Sequence, residues 1–403
     1  MSSIFEKVTR TVVHELVSGG DMIAVRSVID ADRFKCHYLV REKKTIFGTQ
    51  HCMTGLTLED ILEEYDSGSE GQKSEFRILN NVASNGKFTV KLPKEIKIEG
   101  QSEVSQGTKE QEIKILGERI PQQDLESLVD RKLKRNLPPS FESIRKKRDN
   151  LNLVTETLMT ANEETLRREK QFDFWIWLTW FFPGYKYKSQ KSVTIPPKWV
   201  LGYRIKPLVF SKDEMNISFL DKRHSFPQGK SLENEDTRNM KEIVEDMKSG
   251  LRNLTEKEKK DVLSCLTHFL SNDGHLQELQ DRVSDAQISG ELQMDGPAGP
   301  LIRCLFNDAG VWNQGCAEAI QDLLDALMEL PEEGQQFVVK FIEEKETLPL
   351  LVEKVESTLK ENHSEYFDNL QNIDGDTEAR VFCALYVVLS GLSQLNEKST
   401  NGS

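Results

Sequence analysis

The spacing of apolar residues changes once along this chain, and that change constrains the fold more than any other feature. Before about residue 220 the clearest segments alternate. Phe88, Val90 and Leu92 stand against Lys87, Thr89 and Lys91; Ile96 and Ile98 stand against Glu95, Lys97 and Glu99; Ile113 and Ile115 repeat the pattern in the return segment 112–116. Period-two alternation is a strand with one dry face and one wet face. Behind residue 239 the apolar residues recur at three and four instead: Met240, Ile243, Val244, Met247, Leu251 and Leu254, and later Ile320, Leu323, Leu324 and Leu327. That is the stripe of a helix. Between the two regimes, residues 221–239 carry Pro227, Gly229, Ser231 and a run of charges with almost no apolar content. Such a segment buries too little to offset the entropy of ordering, so it reads as an exposed connector. The expected organisation is an α+β domain over 1–220, a connector over 221–239 and an all-α domain over 240–403.

Charge follows the same partition. Of the 403 residues, 1–220 hold 35 Lys+Arg against 31 Asp+Glu, and 221–403 hold 18 against 35, within a chain of net charge −13. Positive charge concentrates further in 131–206, where 17 Lys+Arg face 7 Asp+Glu. Two clusters stand out, Arg131, Lys132, Lys134 and Arg135, then Arg145, Lys146, Lys147 and Arg148, with Pro138-Pro139 between them. Clusters of this kind bind polyanions. No nucleic-acid-binding signature accompanies them and the chain as a whole is acidic, so nucleic acid is not the expected partner. Anionic lipid fits the same charge.

Other segments leave two readings open. Ile4, Phe5, Val8, Val12 and Leu16 form one side of an N-terminal helix, with Lys7, Arg10 and His14 off that stripe. It is either a docking helix with a solvated polar side or one that also lies on an anionic membrane. Strand-like patterns at Ile23–Val25, Val28–Ile29 and 34–40 lead to a basic turn, Arg41, Lys43, Lys44, Ile46, Phe47 and Gly48. This is either an interfacial tip or a hairpin whose Ile46 and Phe47 pack inward. Residues 172–187 hold nine aromatics in sixteen positions, flanked by lysines, which suits a core or an interfacial belt. A last alternating strand is expected over 195–205. The terminal stripe, Arg380 to Leu395, reads as a core helix too short to span a bilayer.

Function classes can be excluded too. The sequence has no phosphate-binding glycine loop, GxGxxG, GxSxG or HExxH, so an enzyme is not expected, and no cofactor is implied. Cys36-His37 and His51-Cys52 do not make a metal site, because neighbours on a strand point to opposite faces. The six cysteines lack framework spacing, no stretch has the length and apolarity of a membrane span, and Met1–Glu6 lacks signal-peptide character. A cytosolic protein is expected.

Several long tracts resemble the gasdermin family: residues 20–34 (GDMIAVRSVIDADRF), 56–62 (LTLEDIL), 153–158 (LVTETL), 195–204 (IPPKWVLGYR) and 383–392 (CALYVVLSGL). What the resemblance implies is an N-terminal pore-forming domain, a twisted antiparallel sheet with flanking helices, held inactive by an all-α C-terminal repressor domain. It implies a cytoplasmic protein whose linker is cut by a protease. The freed domain then binds acidic phospholipids (phosphoinositides, phosphatidylserine, cardiolipin), self-associates and inserts β-hairpins into the plasma membrane, a lytic death termed pyroptosis. The lipid contacts would fall on Arg10, on Arg41, Lys43, Lys44, Ile46 and Phe47, and on the two basic clusters; the hairpins on about 75–120 and 160–205. Met240 would contact the first domain. The linker lacks the aliphatic-rich tetrapeptide ending in Asp that inflammatory caspases cut. The resemblance to one family member implies instead a lymphocyte serine protease that cuts after Lys. Lys230 is the best match, with Lys222, Arg223, Arg238 and Lys241 as alternatives and Asp236 as an apoptotic-caspase site.

Overall fold

The structure is a computed structural model that describes residues 4–17, 21–63, 83–92, 96–98, 111–147, 149–168, 192–219, 239–271, 276–289, 295–307, 309–343, 347–368, 370, 373 and 376–397. The chain divides into two compact units, one carrying the sheets and the other the helices beyond residue 239 together with the turn Lys44–Thr49.

The first unit opens with α1 (Ile4–Leu16), whose Ile4, Phe5, Val8 and Val12 are buried as the stripe requires. Thr9 is buried beside them, its Oγ1 donating at 2.8 Å to the carbonyl of Val25. In chain order follow β1 (Ile23–Ala24), β2 (Tyr38–Thr45), β3 (Gly48–Thr57), α2 (Leu58–Ile61), β4 (Ala83–Lys91), β5 (Ile96–Ile98), β6 (Glu112–Arg119), α3 (Gln122–Glu126) and β7 (Arg131–Lys132). Then come α4 (Pro139–Lys147), β8 (Asn150–Thr160), β9 (Glu164–Arg168), β10 (Ser192–Ile195), β11 (Val200–Ser211) and β12 (Glu214–Ile217). The main sheet runs β3-β2-β8-β11-β12-β7, with β1 on β11 and a β6–β4 branch on β8; a second sheet runs β10-β9-β5. The registered ladders are antiparallel.

Strand β8 is the axis. It pairs with β2, β6 and β11, and nearly all of its residues are buried. Both its faces are covered, by two apolar clusters: Val154, Leu158 and Met159 belong to the one that contains α1, while Leu151 and Leu153 belong to the one under α2, α3 and α4. That double burial explains why residues 150–160 never alternate in sequence.

Five sequence expectations need correcting. Val28–Asp30 is a 3₁₀ turn, and the strand expected from residue 34 begins at Tyr38. The segment after Pro93 does not continue the β4–β6 hairpin but leaves it to pair with β9. The expected strand over 195–205 is two strands, broken at Pro196-Pro197, where no ladder donor exists. Thr160 holds that break: its carbonyl accepts from Lys198 N at 2.8 Å and its Oγ1 donates to the Pro196 carbonyl at 2.6 Å. The terminal helix, finally, is long enough to cross a membrane; 89% of its apolar window is buried inside the fold, so it is a core helix for that reason and not for want of length.

The second unit is helical over its described residues: α5 (Met240–Arg252), α6 (Glu256–Leu270), α7 (Leu276–Ser289), α8 (Gly299–Cys304), α9 (Gln314–Glu329), α10 (Glu332–Glu343), α11 (Leu348–Asn362), α12 (Ser364–Asp368) and α13 (Thr377–Asn396). Local sequence starts these helices. Asn239 with Glu242, and Thr255 with Glu258, form reciprocal capping boxes, and Asp376 accepts from two amides at the head of α13. Helix α13 then packs against α5, α6, α9, α10 and α11. Within this core Arg380 meets Glu329 at 2.8 Å, the two side chains only 3% and 4% exposed.

Candidate functional site: two basic clusters on one apolar base

The two basic clusters stand on the same foundation. Leu133 alternates inward between its cationic neighbours and is buried together with Phe141 and Ile144 of α4, Phe210 of β11 and Met215 of β12. Phe141 meets Phe210 edge to face at 5.2 Å. Backbone bonds on both sides fix residues 131–134. Glu63 N donates to the Lys132 carbonyl at 3.0 Å, Lys134 N to Ile61 at 2.9 Å, and Leu133 N to Asp213 at 2.8 Å. With Leu133 held inward, period two sends Lys132 and Lys134 the other way.

Lys132 and Arg135 are exposed; Lys134 is half-buried, and its Nζ donates to the Glu59 carbonyl at 2.7 Å. Arg131 is half-buried in the ladder opposite Met215. In α4, Arg145 reaches the Lys212 carbonyl at 3.2 Å and Lys146 is exposed. The Lys147 side chain and Arg148 lie outside the described residues. Lys212, at the tip of the β11–β12 turn with φ +49°, is an exposed cation that the sequence reading missed. The face therefore joins segments more than sixty residues apart in sequence.

In the basic turn the apolar residues are covered, although Phe47 belongs to neither apolar cluster described above. Phe47 is only 1% exposed, and Ile46 is half-buried. Thr45 Oγ1 donates to the Gly48 carbonyl at 2.9 Å and accepts from Phe47 N at 3.2 Å, closing the turn. Gly48 sits at φ +101°, which a Cβ would disfavour. The turn thus presents Lys44, which is exposed, and not Phe47. Lys43 is half-buried, and Arg41 lies 3.7 Å from Asp149 with little exposure. Arg10 is committed within its own helix, bonded to Glu6 at 3.0 Å.

The remaining candidates divide between the second unit and the linker. Met240 is fully buried at the first turn of α5. Lys241 is exposed beside it but already helical, so a protease that needs extended substrate would have to unwind the turn. Lys222, Arg223, Lys230, Asp236 and Arg238, like the aromatic stretch 172–187, lie outside the described residues. Among the described residues no group of three metal-ligating side chains exists. Burial pushes the Cys36 thiol up to about 12 and His37 down to about 4, and His51 packs edge to face with Tyr203.

A cation-faced unit built on an antiparallel sheet, followed on the same chain by an all-helical unit, is the class these observations define. Residues 4–228 match the family model described as the gasdermin pore forming domain, and residues 236–389 that of the gasdermin PUB domain. Mouse (Mus musculus) gasdermin-A is 30% identical over 387 residues, covering 89% of this chain and 84% of its own length. Human (Homo sapiens) gasdermin-D is 24% identical over 414 residues, covering 90% and 85%. A chain of the cryo-EM structure of the gasdermin A3 membrane pore also matches, at 25% sequence identity and TM-score 0.36, covering 56% of this chain and 100% of that one. The protein belongs to the gasdermin family.

Proposed function

We propose that this protein is an autoinhibited pore-forming effector of lytic cell death. Its functional parts are a membrane-binding domain over 1–220, a protease-sensitive linker over 221–239 and a helical autoinhibitory domain over 240–403. The observation that carries the reading is the pair of basic clusters standing on one apolar base within a gasdermin pore-forming domain. Rigidly presented cations suit the phosphate-bearing surface of a membrane. The intact chain resides in the cytoplasm. A serine protease cuts after Lys230, and the strongly acidic remainder is lost to dilution once the tether that kept it at high effective concentration is gone. The freed domain binds phosphoinositides, phosphatidylserine or cardiolipin at the plasma membrane and oligomerises. It inserts β-hairpins as a closed barrel, because unpaired strand edges are not tolerated in lipid. We infer kinship with gasdermin-B from the linker, which lacks a caspase tetrapeptide and offers Lys230.

The test is release of a trapped dye from cardiolipin or phosphoinositide liposomes. Protein cut at Lys230 is expected to release it and the intact chain is not. Equal leakage from both, or none from either, defeats autoinhibited pore formation. A second reading, an acidic-lipid-binding scaffold, rests on the same cations; it predicts that the cut protein binds the liposomes, leaves their contents in place and forms no rings in electron micrographs.

A further inference from the structure

Strands β4 and β5 are two lengths of one amphipathic strand. Phe88 and Val90 in β4, Leu92 just beyond it, and Ile96 and Ile98 in β5 all carry even numbers, so the period-two phase continues across Pro93. The two lengths nevertheless have different partners. β4 lies along β6 in a register that sets Lys87 opposite Leu116 and Lys91 opposite Glu112. Carried forward, that register would place Ile96 opposite Gly107 and Ile98 opposite Ser105. Instead Ile96 pairs with Arg168 and Ile98 with Leu166 of β9. The other edge of β9 holds β10, with Leu166 opposite Val193.

The ladders β4–β6 and β9–β10 each lie within one of the two stretches assigned above to insertion. Apart from the boundary pair of Ile115 with Thr160 and the bond from Ala161 N to the Lys114 carbonyl, the described ladder that joins one stretch to the other is β5–β9. Helix α1 covers this junction. Its Ile4, Phe5, Val8 and Val12 are buried in one cluster with Ile96, Ile98, Leu166 and Ile195, and it packs against β4, β9 and β10.

Resting on the pore-forming reading, we infer that the β5–β9 ladder beneath α1 is a lock coupling the two stretches. Neither amphipathic strand can lengthen into a hairpin until this ladder parts, and its parting releases both. If β5 swings into the β6 register, β9 loses its partner along that edge. Ile96, Ile98 and Leu166 lose their cover together, a state disfavoured in water and favoured in lipid. The even-phased apolar face, divided between two sheets in this fold, then becomes continuous.

The registered pair Lys97 and Arg167 provides the test. Facing residues of an antiparallel pair lie about 4.5–5.5 Å apart at Cα, within the span of a disulfide. The full chain carrying Lys97→Cys and Arg167→Cys is prepared with a site for a known protease placed in the linker, and the cross-link is verified by mass spectrometry. After cleavage, the oxidised protein is expected to bind cardiolipin liposomes as the parent does but to release dye at least tenfold more slowly. Reduction should restore the parent rate, and each single-cysteine variant should leak normally. Undiminished leakage from the verified cross-linked protein overturns the lock, as does loss of liposome binding along with leakage. A cleaved parent that never leaks defeats the underlying function instead.

Hydrogen exchange on the cleaved parent needs no variant. On contact with liposomes the amides of 96–98 and 164–168 should lose protection at one common rate. Opening of one strand while the other stays protected also overturns the lock.

Discussion

The sheet unit and the helical unit bury apolar surface in opposite ways. In the helical unit one helix, α13, is packed against five others, and the charge pair of Arg380 and Glu329 is sealed inside with it. Contacts of that kind are fixed: a helix satisfies its backbone internally, and what remains is close packing of side chains. In the sheet unit the apolar residues form two clusters on either side of β8, and one amphipathic strand is divided between two sheets. Strand edges accept any partner in register, so such pairings can be exchanged. The difference teaches that strand-edge pairings, the exchangeable kind, lie in the first unit and close helix packing in the second, as the proposed function requires.

The strongest way to break this comparison is to remove a charge from the sealed pair. Glu329→Ala removes the carboxylate that buried Arg380 meets and is expected to cost about 3–5 kcal/mol, read as a lowered melting temperature of the helical unit. A loss below about 1 kcal/mol would show that this core yields as readily as an exposed surface.

Two glycines sharpen the contrast at smaller cost. A Cβ on Gly250 would lie 2.3 Å from the Gly315 carbonyl oxygen and 2.7 Å from Ala319 Cβ, both on α9. Backbone cannot step aside, so Gly250→Ala should cost about 3 kcal/mol by forcing α5 from α9. A Cβ on Gly202 would lie 2.5 Å from Val13 Cγ2 on α1, a β-branched side chain with one favoured helical rotamer, but side chain and not backbone. Gly202→Ala is expected to cost about 2 kcal/mol, a value thermal denaturation of the two variants would separate from the first.

The remaining effect is pH-dependent and belongs to the sheet unit. His37 holds a left-handed backbone at φ +72°, its N–H donating to the Val154 carbonyl at 3.1 Å, and burial lowers its imidazole to about 4. Above pH ~6.5 the ring is neutral in both folded and unfolded chains. As pH falls towards 4 the unfolded chain takes up a proton and the folded one does not, so stability falls through that window and levels off below it. With allowance for partial exposure the loss is about 2 kcal/mol. In His37→Asn, where the short amide tolerates positive φ, urea midpoints measured between pH 4 and 6.5 should lose this slope.

How much of this was legible beforehand depended on the range of the interactions. The α1 stripe, the capping boxes at Asn239 and Thr255 and the run of helices after Met240 rest on neighbours three or four residues away, and the sequence displays them directly. The basic clusters were visible as charge, but their common base was not. Leu133, Phe141, Phe210 and Met215 meet only once β7, α4, β11 and β12 have assembled. The burial of Phe47 could not be read from a turn sequence that suits either orientation. Lys212 was overlooked because one lysine in a turn carries no pattern.

The amino-acid order alone determined the change from alternating to helical periodicity, the polar connector between them, the asymmetry of charge and the family tracts. Each is a local property, written in residue type and spacing. Which edge β5 would choose, and that the two cationic segments would share a foundation, were decided by tertiary structure. Strand partners are selected by competition among edges far apart in the chain, and no single stretch of residues contains the outcome of that competition.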